Sequence, residues 1–381
     1  MPSALSEIIE ARRVIITVGA GGVGKTTTAA ALGVAAAQRG KRVLCLTIDP
    51  AKRLAESLGI SSMTTEALAI DPQRFAEAGS PLTGELTVMM LDTKRTFDDL
   101  VTKYSSTKEK AQKLLENKLY KYVSTSLAGT QEYMAMEKLI AVKDDPRYDL
   151  IILDTPPTAN ALDFLDAPER MMDALDSATM KWFVEAFQST GKVSLNILAR
   201  SAALVLKTIG KVTGGGFLDD MAQLISQLND LFGGFKERAA LVQKTLRGKD
   251  VTFVLVTSPA PMSIREVLYF SERLETAHMP RGAFVVNRVR QPPPHASGAI
   301  AVADVKEAIA AHGLTLDDDA PERLIKAHAD AVKLAALDAF YVKALDAGNA
   351  GAVPIVRIPD LASDVHDLRL LSTLARMLTA D

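Results

Sequence analysis

The stretch VIITVGAGGVGKTTTAA, residues Val14–Ala30, decides the fold of this chain. It begins with Val14–Val18, a continuous run typical of a strand that is buried on both faces of a sheet. An alanine-rich segment follows and predicts a helix over Thr27–Arg39. Between the two, Gly19–Thr26 fits the pattern G-x-x-x-x-G-K-[S/T]. A strand, a glycine-rich loop and a helix in this order predict a phosphate-binding loop, because glycines let backbone N–H groups turn toward phosphate oxygens.

Two side chains of this loop carry the expected chemistry. Lys25 is expected to contact the β- and γ-phosphates of a nucleoside triphosphate, and the Thr26 hydroxyl to ligate Mg²⁺. The positive end of the helix dipole adds to the attraction for phosphate. The alternative is a glycine-rich turn with an exposed lysine, which would bind nothing.

Further aliphatic runs continue outward from this loop. Because helical patterns separate the runs, they predict parallel strands joined by right-handed helical crossovers. The predicted fold class is α/β: a mostly parallel sheet of the phosphate-loop NTPase type with helices on both faces and an inserted helical subdomain. The predicted strands are Val14–Val18, Val43–Ile48, Leu86–Leu91, Leu150–Leu153, Val251–Val256, Ala283–Val286 and Val353–Ile358.

The helical stretches between these strands suggest how the chain is organised. We expect a single ATPase domain over residues 1–381, with a helical subdomain built from residues 93–143 and 161–249. Residues 291–351 are predicted to form a second helical excursion before the last strand. Apolar residues recur at helical spacing in residues 161–249, among them Met171 and Phe183. Such a stripe either packs in a core or forms an adaptable surface for apolar partners.

Two aspartates follow predicted strands. Asp49 ends the segment Leu44–Asp49, and Asp154 ends Ile151–Asp154. Residues just beyond the carboxyl ends of parallel strands face the ligand crevice, so both acids are expected near the triphosphate. One acid can hold Mg²⁺ through water and the other can orient the attacking water. The alternative for each is a helix N-cap.

Composition excludes several classes of protein. The formal net charge of −2 gives no electrostatic reason to expect nucleic-acid binding. A single cysteine, Cys45, excludes an internal disulfide and any cysteine-based zinc or iron–sulfur site within one chain, and its place in a predicted strand favours the core. The sequence has neither a signal-peptide pattern nor a long uncharged apolar run, so we expect a cytoplasmic chain without an integral membrane segment.

Several motifs in order resemble the ArsA/Get3 family of ATPases, within the class that includes the MinD/ParA proteins. The loop GGVGKTTTAA is one of them. TIDPAKRL, residues 47–54, resembles the family's first switch, and YDLIILDTPPTANALDFLDAP, residues 148–168, resembles its second. EYMAMEKL at residues 132–139 and PIVRIPDLASDVHDL at residues 354–368 are also similar to family sequence.

The resemblance implies ATP and Mg²⁺ as cofactors and assigns a role to each matching position. Asp49 would position or activate the hydrolytic water, and Asp154 would sense Mg²⁺ and the γ-phosphate, as a magnesium ligand through water. Asn287 would contact adenine; a strand-end turn residue is the alternative. Pro359 and Asp360 would flank the base. The phosphates and Mg²⁺ would be bound by Gly21, Gly22, Val23, Gly24, Lys25, Thr26 and Thr27.

Three departures from the family pattern matter. Ala20 stands where the family has a signature lysine that reaches the partner subunit's nucleotide. The paired cysteines that bridge zinc between subunits are absent, and so are the metalloid-binding cysteines of arsenite-pump ATPases. Because the loop lacks that lysine, the group that would act on the partner subunit's nucleotide is not identified by the sequence.

The leading hypothesis is Mg²⁺-dependent ATP hydrolysis by a nucleotide-driven dimer switch, as a homodimer or as a pseudo-dimer with a paralogue. A second hypothesis is a client-binding or targeting factor for hydrophobic helices or a membrane-protein partner, with a regulatory ATPase. An arsenite-pump subunit is a third, which the missing cysteines disfavour. A MinD/ParA-type positioning ATPase is a fourth.

Overall fold

The computed structural model describes residues 3–48, 53–60, 65–118, 120–121, 124, 130–155, 166–167, 173, 224, 237–296, 298 and 300–380. These residues form an eight-stranded sheet with the strand order β3-β4-β2-β5-β1-β6-β7-β8. Every neighbouring pair is parallel except β3 with β4. The strands are β1 (Val14–Val18), β2 (Arg42–Thr47), β3 (Leu68–Ala69), β4 (Glu85–Met90), β5 (Leu150–Asp154), β6 (Val251–Thr257), β7 (Arg281–Val289) and β8 (Ile355–Pro359).

Helices cover both faces of this sheet. Consecutive residues of β1 show it: Val14 and Ile16 pack in one apolar cluster, and Ile15 packs in the other. This alternation is what a strand buried on both sides requires. The helices are α1 (Ala4–Ala11), α2 (Lys25–Gln38), α3 (Arg53–Ser57), α4 (Pro72–Glu77), α5 (Thr93–Tyr104), α6 (Lys108–Glu116), α7 (Thr130–Lys143), α8 (Pro261–Thr276), α9 (Val302–Ala311), α10 (Ala320–Asn349) and α11 (Leu368–Thr379).

The strand order places the crevice at β1. The chain leaves β1 toward β2 on one side of the sheet and later fills the other side with β6, β7 and β8. A ligand site in an open α/β sheet lies outside the carboxyl ends of the strands where the strand order reverses. The loop between β1 and α2 stands at this point.

The predicted fold class is confirmed, and each predicted strand is present with small shifts at its ends. The last strand begins two residues later than predicted, at Ile355, because Val353 is held in the preceding turn. There the Asn349 side chain accepts a hydrogen bond from Val353 N at 3.1 Å and donates one to Val353 O at 2.6 Å. β7 is longer than the prediction at both ends.

The short edge strand β3 was not predicted. Leu68 and Ala69 pair antiparallel with β4, and both are exposed. Two exposed residues carry no alternation of polar and apolar side chains, which is the sequence signal for a half-buried strand.

Helices fill the stretches that were predicted to be helical, as far as they are described. Residues 93–143 contain α5, α6 and α7, and residues 291–351 contain α9 and α10. Most of residues 161–249 lies outside the described part, including Met171 and Phe183; residues 237–246 are helical. The division of the chain into a sheet domain and an inserted subdomain stays a prediction.

A buried ion pair joins the helical residues 237–246 to α7. Arg238 Nε donates to Glu137 Oε2 at 3.0 Å, and the Tyr133 hydroxyl donates to Glu137 Oε1 at 2.8 Å. Glu137 is buried, so these bonds compensate the loss of water around its charge. Within the described residues, no helix is both long and apolar enough to cross a membrane.

Candidate nucleotide-binding site

The loop from Gly19 to Lys25 has a backbone that depends on its glycines. Gly19, Gly22 and Gly24 have φ angles of 151°, 77° and 98°. A Cβ on Gly24 would lie 2.3 Å from Asn287 Nδ2, whereas a Cβ on Gly22 would meet nothing within 4 Å. The loop therefore packs tightly on β7 on one side and leaves open space on the other, where a phosphate group can approach its backbone.

Lys25 lies at the start of α2 with its side chain folded over the loop. Its Nζ donates hydrogen bonds to Gly19 O at 2.9 Å and Ala20 O at 2.8 Å. The side chain is buried, so its positive charge is held next to the loop backbone rather than in solvent. A charge in this position, beside the N-terminus of α2, suits a multiply charged anion.

The carboxyl end of β5 carries Asp154. Thr47, the last residue of β2, donates from Oγ1 to Asp154 Oδ2 at 3.0 Å. The next residue, Thr155, donates from Oγ1 to Thr17 O at 2.8 Å and so ties β5 to β1. Asp154 is 1% exposed, and the bond from Thr47 on the neighbouring strand orients one oxygen of its carboxylate. Asp49 lies outside the described residues.

Residues from the two halves of the chain meet around one cavity of about 570 Å³, which is within the usual size range for a nucleotide or other small ligand. The predicted nucleotide-contacting residues that line it are Gly22, Gly24, Lys25, Thr26, Thr27, Asn287, Pro359 and Asp360. Asn287 also donates from Nδ2 to Val23 O at 3.0 Å, so it joins β7 to the loop. Asp360 N donates to Val289 O at 3.0 Å and holds the chain after β8 against β7.

Some predicted site residues do not line the cavity. Val23 is 3% exposed and packs in the apolar cluster beneath the loop. Its contribution is its carbonyl, which accepts the bond from Asn287. Gly21 is exposed but is not among the lining residues, and neither is the buried Asp154. The functional roles of these positions stay predictions.

The residues present fit a nucleoside triphosphate with a divalent cation. The free space beside Gly22 leaves room for a phosphate group, and Lys25 supplies positive charge. Thr26 lines the cavity, and its hydroxyl is a hard oxygen ligand of the kind that Mg²⁺ prefers. No group of three or more His, Cys, Asp or Glu side chains suited to a metal occurs within the part of the chain that the structure describes. Magnesium bound with a nucleotide commonly takes part of its coordination from the phosphate oxygens.

The sequence reasoning missed several residues that line the cavity. Glu56 and Ser57 come from α3, and Asp364 and His366 come from the segment after β8. Arg288 follows Asn287 directly and also lines the cavity. The register between β7 and β8 shifts between Val286 and Val289, which is a β-bulge that no local sequence pattern announces.

Cys45 lies in the core, as predicted. It is buried, and a Cβ on Gly33 of α2 would lie 2.5 Å from its sulfur. Burial raises the pKa of the Cys45 thiol to about 12, and the negative charge of Asp154 adds to the shift. A thiol held protonated in this way is neither a nucleophile nor a metal ligand.

Comparison with known proteins shows which family the chain belongs to. The family model described as anion-transporting ATPase matches residues 12–300 of the chain. The chain belongs to the anion-transporting ATPase family. The match includes the loop, Asp154 and Asn287, whereas Pro359 and Asp360 lie beyond it. Part of the cavity wall of this ATPase thus comes from chain outside the matched region.

Individual relatives are ATPases as well. The protein named ATPase get3 of Aspergillus terreus is 26% identical over 298 residues, which cover 77% of this chain and 78% of that protein. ATPase GET3 of Phaeosphaeria nodorum is 26% identical over 302 residues, covering 77% and 82%. ATPase GET3B of Arabidopsis thaliana is 28% identical over 295 residues, covering 72% and 63%. The suspected ArsA/Get3 resemblance is confirmed.

The contact between Gly24 and Asn287 makes Gly24→Ala informative. The added Cβ would displace the Asn287 amide and break its bond to Val23 O, and φ of 98° is strained for alanine. We expect a loss of about 1–2 kcal/mol in the free energy of unfolding from the backbone strain. We also expect ATP affinity to fall by about tenfold or more, because the loop no longer holds its shape. Calorimetric titration with a non-hydrolysable ATP analogue measures the affinity.

Gly79→Ala is the matched control. Gly79 has φ of 73°, a Cβ there would meet nothing within 4 Å, and the residue does not line the cavity. It should lower stability to a similar extent and leave nucleotide affinity unchanged. Equal affinity losses in both variants would show that the contact with Asn287 is irrelevant to binding.

Proposed function

We propose that this ATPase binds ATP with Mg²⁺ in the cavity beside the loop and hydrolyses the γ-phosphate. The observation that carries the proposal is the convergence on that cavity of the glycine loop, Lys25 and Thr26 with Asn287 from β7. A lysine, a hydroxyl and the N-terminus of a helix supply the positive charge and oxygen ligand that a nucleoside triphosphate requires.

The residues would divide the work as follows. Lys25 neutralises charge on the β- and γ-phosphates, and Thr26 supplies a direct oxygen ligand to Mg²⁺. Bound Mg²⁺ supplies further positive charge at the phosphate oxygens. Asp154, oriented by Thr47, would hold the cation through water, and Asp49 would orient the attacking water.

Metal dependence tests the reaction directly. The purified chain should release phosphate from ATP in the presence of Mg²⁺. Excess chelator should abolish the release, because the neutral Thr26 hydroxyl supplies none of the positive charge that the cation brings to the phosphates. The measurement is coupled phosphate release with and without chelator. Turnover that survives complete chelation would remove Mg²⁺ from the proposal.

The same site supports a nucleotide-driven dimer switch. Thr47 and Asp154 end the strands that lead into the two switch-like segments, and their hydrogen bond joins those strand ends. Loss of the γ-phosphate would therefore move both switch-like segments together, because their strand ends are joined. The partner would be a second copy of this chain or a paralogue. Ala20 supplies no cation to such a partner, so activation across the interface would need another group.

Light scattering after size-exclusion chromatography tests the switch. The mass should be that of a dimer with Mg²⁺ and a non-hydrolysable ATP analogue, and should fall toward the monomer value, 40.9 kDa, with ADP. Lys25→Ala should stay in the ADP-like state with either nucleotide. A mass that is the same in all states would contradict a nucleotide-driven dimer.

A client-binding role is the second candidate. The apolar, methionine-containing pattern of residues 161–249 favours it, and so does the likeness to proteins named GET3. Crosslinking of an apolar transmembrane peptide that depends on ATP and is lost in Lys25→Ala would support this role. Absence of crosslinks with and without nucleotide would remove it.

An arsenite-pump role finds little support in the chain. The family model is described as anion-transporting, but Cys45 is buried with a raised pKa and no second cysteine exists to share a metalloid. We expect arsenite and antimonite to leave phosphate release unchanged. Stimulation by either would reinstate this candidate.

A further inference from the structure

Arg288 stands in the cavity wall in a backbone conformation that side chains rarely adopt. Its φ is 60°, in the left-handed region, and it lies in the β-bulge where the pairing of β7 with β8 shifts between Val286 and Val289. Residues with a Cβ are held in this region only when the surrounding structure compensates the strain, and such residues concentrate at functional sites. A bulge of this kind re-aims side chains.

The two neighbouring side chains at the bulge make different contacts. Asn287 donates to Val23 O and so contacts the loop. Arg288 lines the cavity and, with Lys25, is one of the two arginine or lysine side chains among the described residues that do so. The positive charge at this wall is therefore separate from the one that the phosphate loop supplies.

An acidic partner orients Arg288 from the opposite segment. Its Nη2 lies 3.3 Å from Asp364 Oδ1, and the side chains are 56% and 91% exposed. His366 Nδ1 is 2.6 Å from Asp364 O, a hydrogen bond that shapes the turn carrying the acid. A single, exposed contact of this length is weak, so it can orient the guanidinium without competing strongly with a ligand.

Arg288 lies on the side of the cavity that the segment after β8 forms. The loop follows β1, and Arg288 belongs to β7, which is two strands further along the order β1-β6-β7-β8. Its neighbour Asn287 contacts the loop at Val23 O, whereas Arg288 itself contacts Asp364 in the segment after β8. A nucleotide whose phosphates lie on the loop would extend its ribose and base toward β7 and the segment after β8.

We propose that Arg288 is a nucleotide-binding residue whose guanidinium packs on the base and ribose, with Asp364 as its positioning residue. The planar guanidinium stacks on aromatic faces, which a lysine does not do equally well. This inference rests on the proposed function, because it assumes that ATP occupies the cavity.

Binding measurements on the full chain test the assignment. We expect Arg288→Ala to weaken a non-hydrolysable ATP analogue by about fivefold in calorimetric titration, the upper end of the scale for an exposed cation–π contact. Arg288→Gly should lose the same affinity while unfolding at the wild-type temperature or above it, because glycine relieves the strain at φ of 60°. Asp364→Asn should show a smaller loss, about twofold to threefold, since it only orients the guanidinium.

Two controls distinguish a contact of Arg288 with the base and ribose from a contact with the phosphates. Inorganic tripolyphosphate, measured as a competitor of the analogue, should bind wild type and Arg288→Ala equally well. Arg357→Ala removes an exposed arginine of β8 that is not among the residues lining the cavity, and it should bind the analogue as wild type does.

Each contrary result has its own meaning. Wild-type affinity in Arg288→Ala and Arg288→Gly would overturn the inference and leave the proposed function intact. An equal loss for tripolyphosphate would make Arg288 a phosphate contact and overturn its assignment to the base. A wild-type chain that does not bind the analogue would overturn the proposed function and the inference with it.

Discussion

Lys25→Ala is expected to lower ATP turnover by about 100-fold or more, the scale seen when one strong electrostatic donor to a reacting group is removed. The ammonium lies against the loop backbone, where its bonds to Gly19 O and Ala20 O hold it. Alanine removes the charge that is proposed to neutralise the β- and γ-phosphates, so nucleotide affinity should fall together with turnover. Phosphate release and calorimetric titration measure the two effects.

The variant also removes two hydrogen bonds of a buried side chain, so its stability must be measured alongside. A thermal unfolding temperature close to that of wild type would assign the loss to the site. Lys326→Ala, which removes an exposed lysine of α10, is the matched control and should change neither turnover nor affinity. Wild-type turnover in Lys25→Ala would mean that the loop is not the catalytic site.

Asp49→Asn is expected to slow hydrolysis by about 100- to 1,000-fold while ATP affinity stays within about threefold of wild type. The residue follows β2 by two positions, and the end of β2 is fixed because Thr47 bonds to Asp154. An amide has the same shape as a carboxylate but cannot take a proton from the attacking water or orient it through two acceptors. The predicted result is therefore loss of the chemical step with retention of binding.

Single-turnover hydrolysis and analogue titration separate the two steps. Asp346→Asn, an exposed carboxylate on α10, serves as the matched control and should behave as wild type. If Asp49→Asn loses affinity in proportion to its rate, the acid contributes to ground-state binding. Such a result would contradict its assignment to the attacking water.

Much of the fold was readable in the sequence because its signals are local. The run Val14–Val18 is buried throughout, as its unbroken aliphatic pattern requires, and the glycine loop with Lys25 follows it directly. Cys45 could be placed in the core for the same reason, since it lies inside another such run. Strand ends were less accurate, as at Ile355, because a side-chain turn at Asn349 decides where β8 begins.

Other features of the site depend on contacts between distant parts of the chain. The hydrogen bond that orients Asp154 comes from Thr47, which is 107 positions earlier. Asn287 reaches Val23 across 264 positions and Arg288 reaches Asp364 across 76. No pattern within a short window predicts which of these side chains will meet.

The sequence alone determined the fold class, the phosphate loop and the exclusion of cysteine-based sites. Each of these depends on short-range spacing or on composition, which the chain carries whatever its tertiary contacts. Only the tertiary structure decided that Arg288, Asp364 and His366 line the same cavity as the predicted Pro359 and Asp360. The physical reason is the order of the sheet, because packing β7 and β8 beside β1 and β6 brings the end of the chain to a loop formed at its beginning.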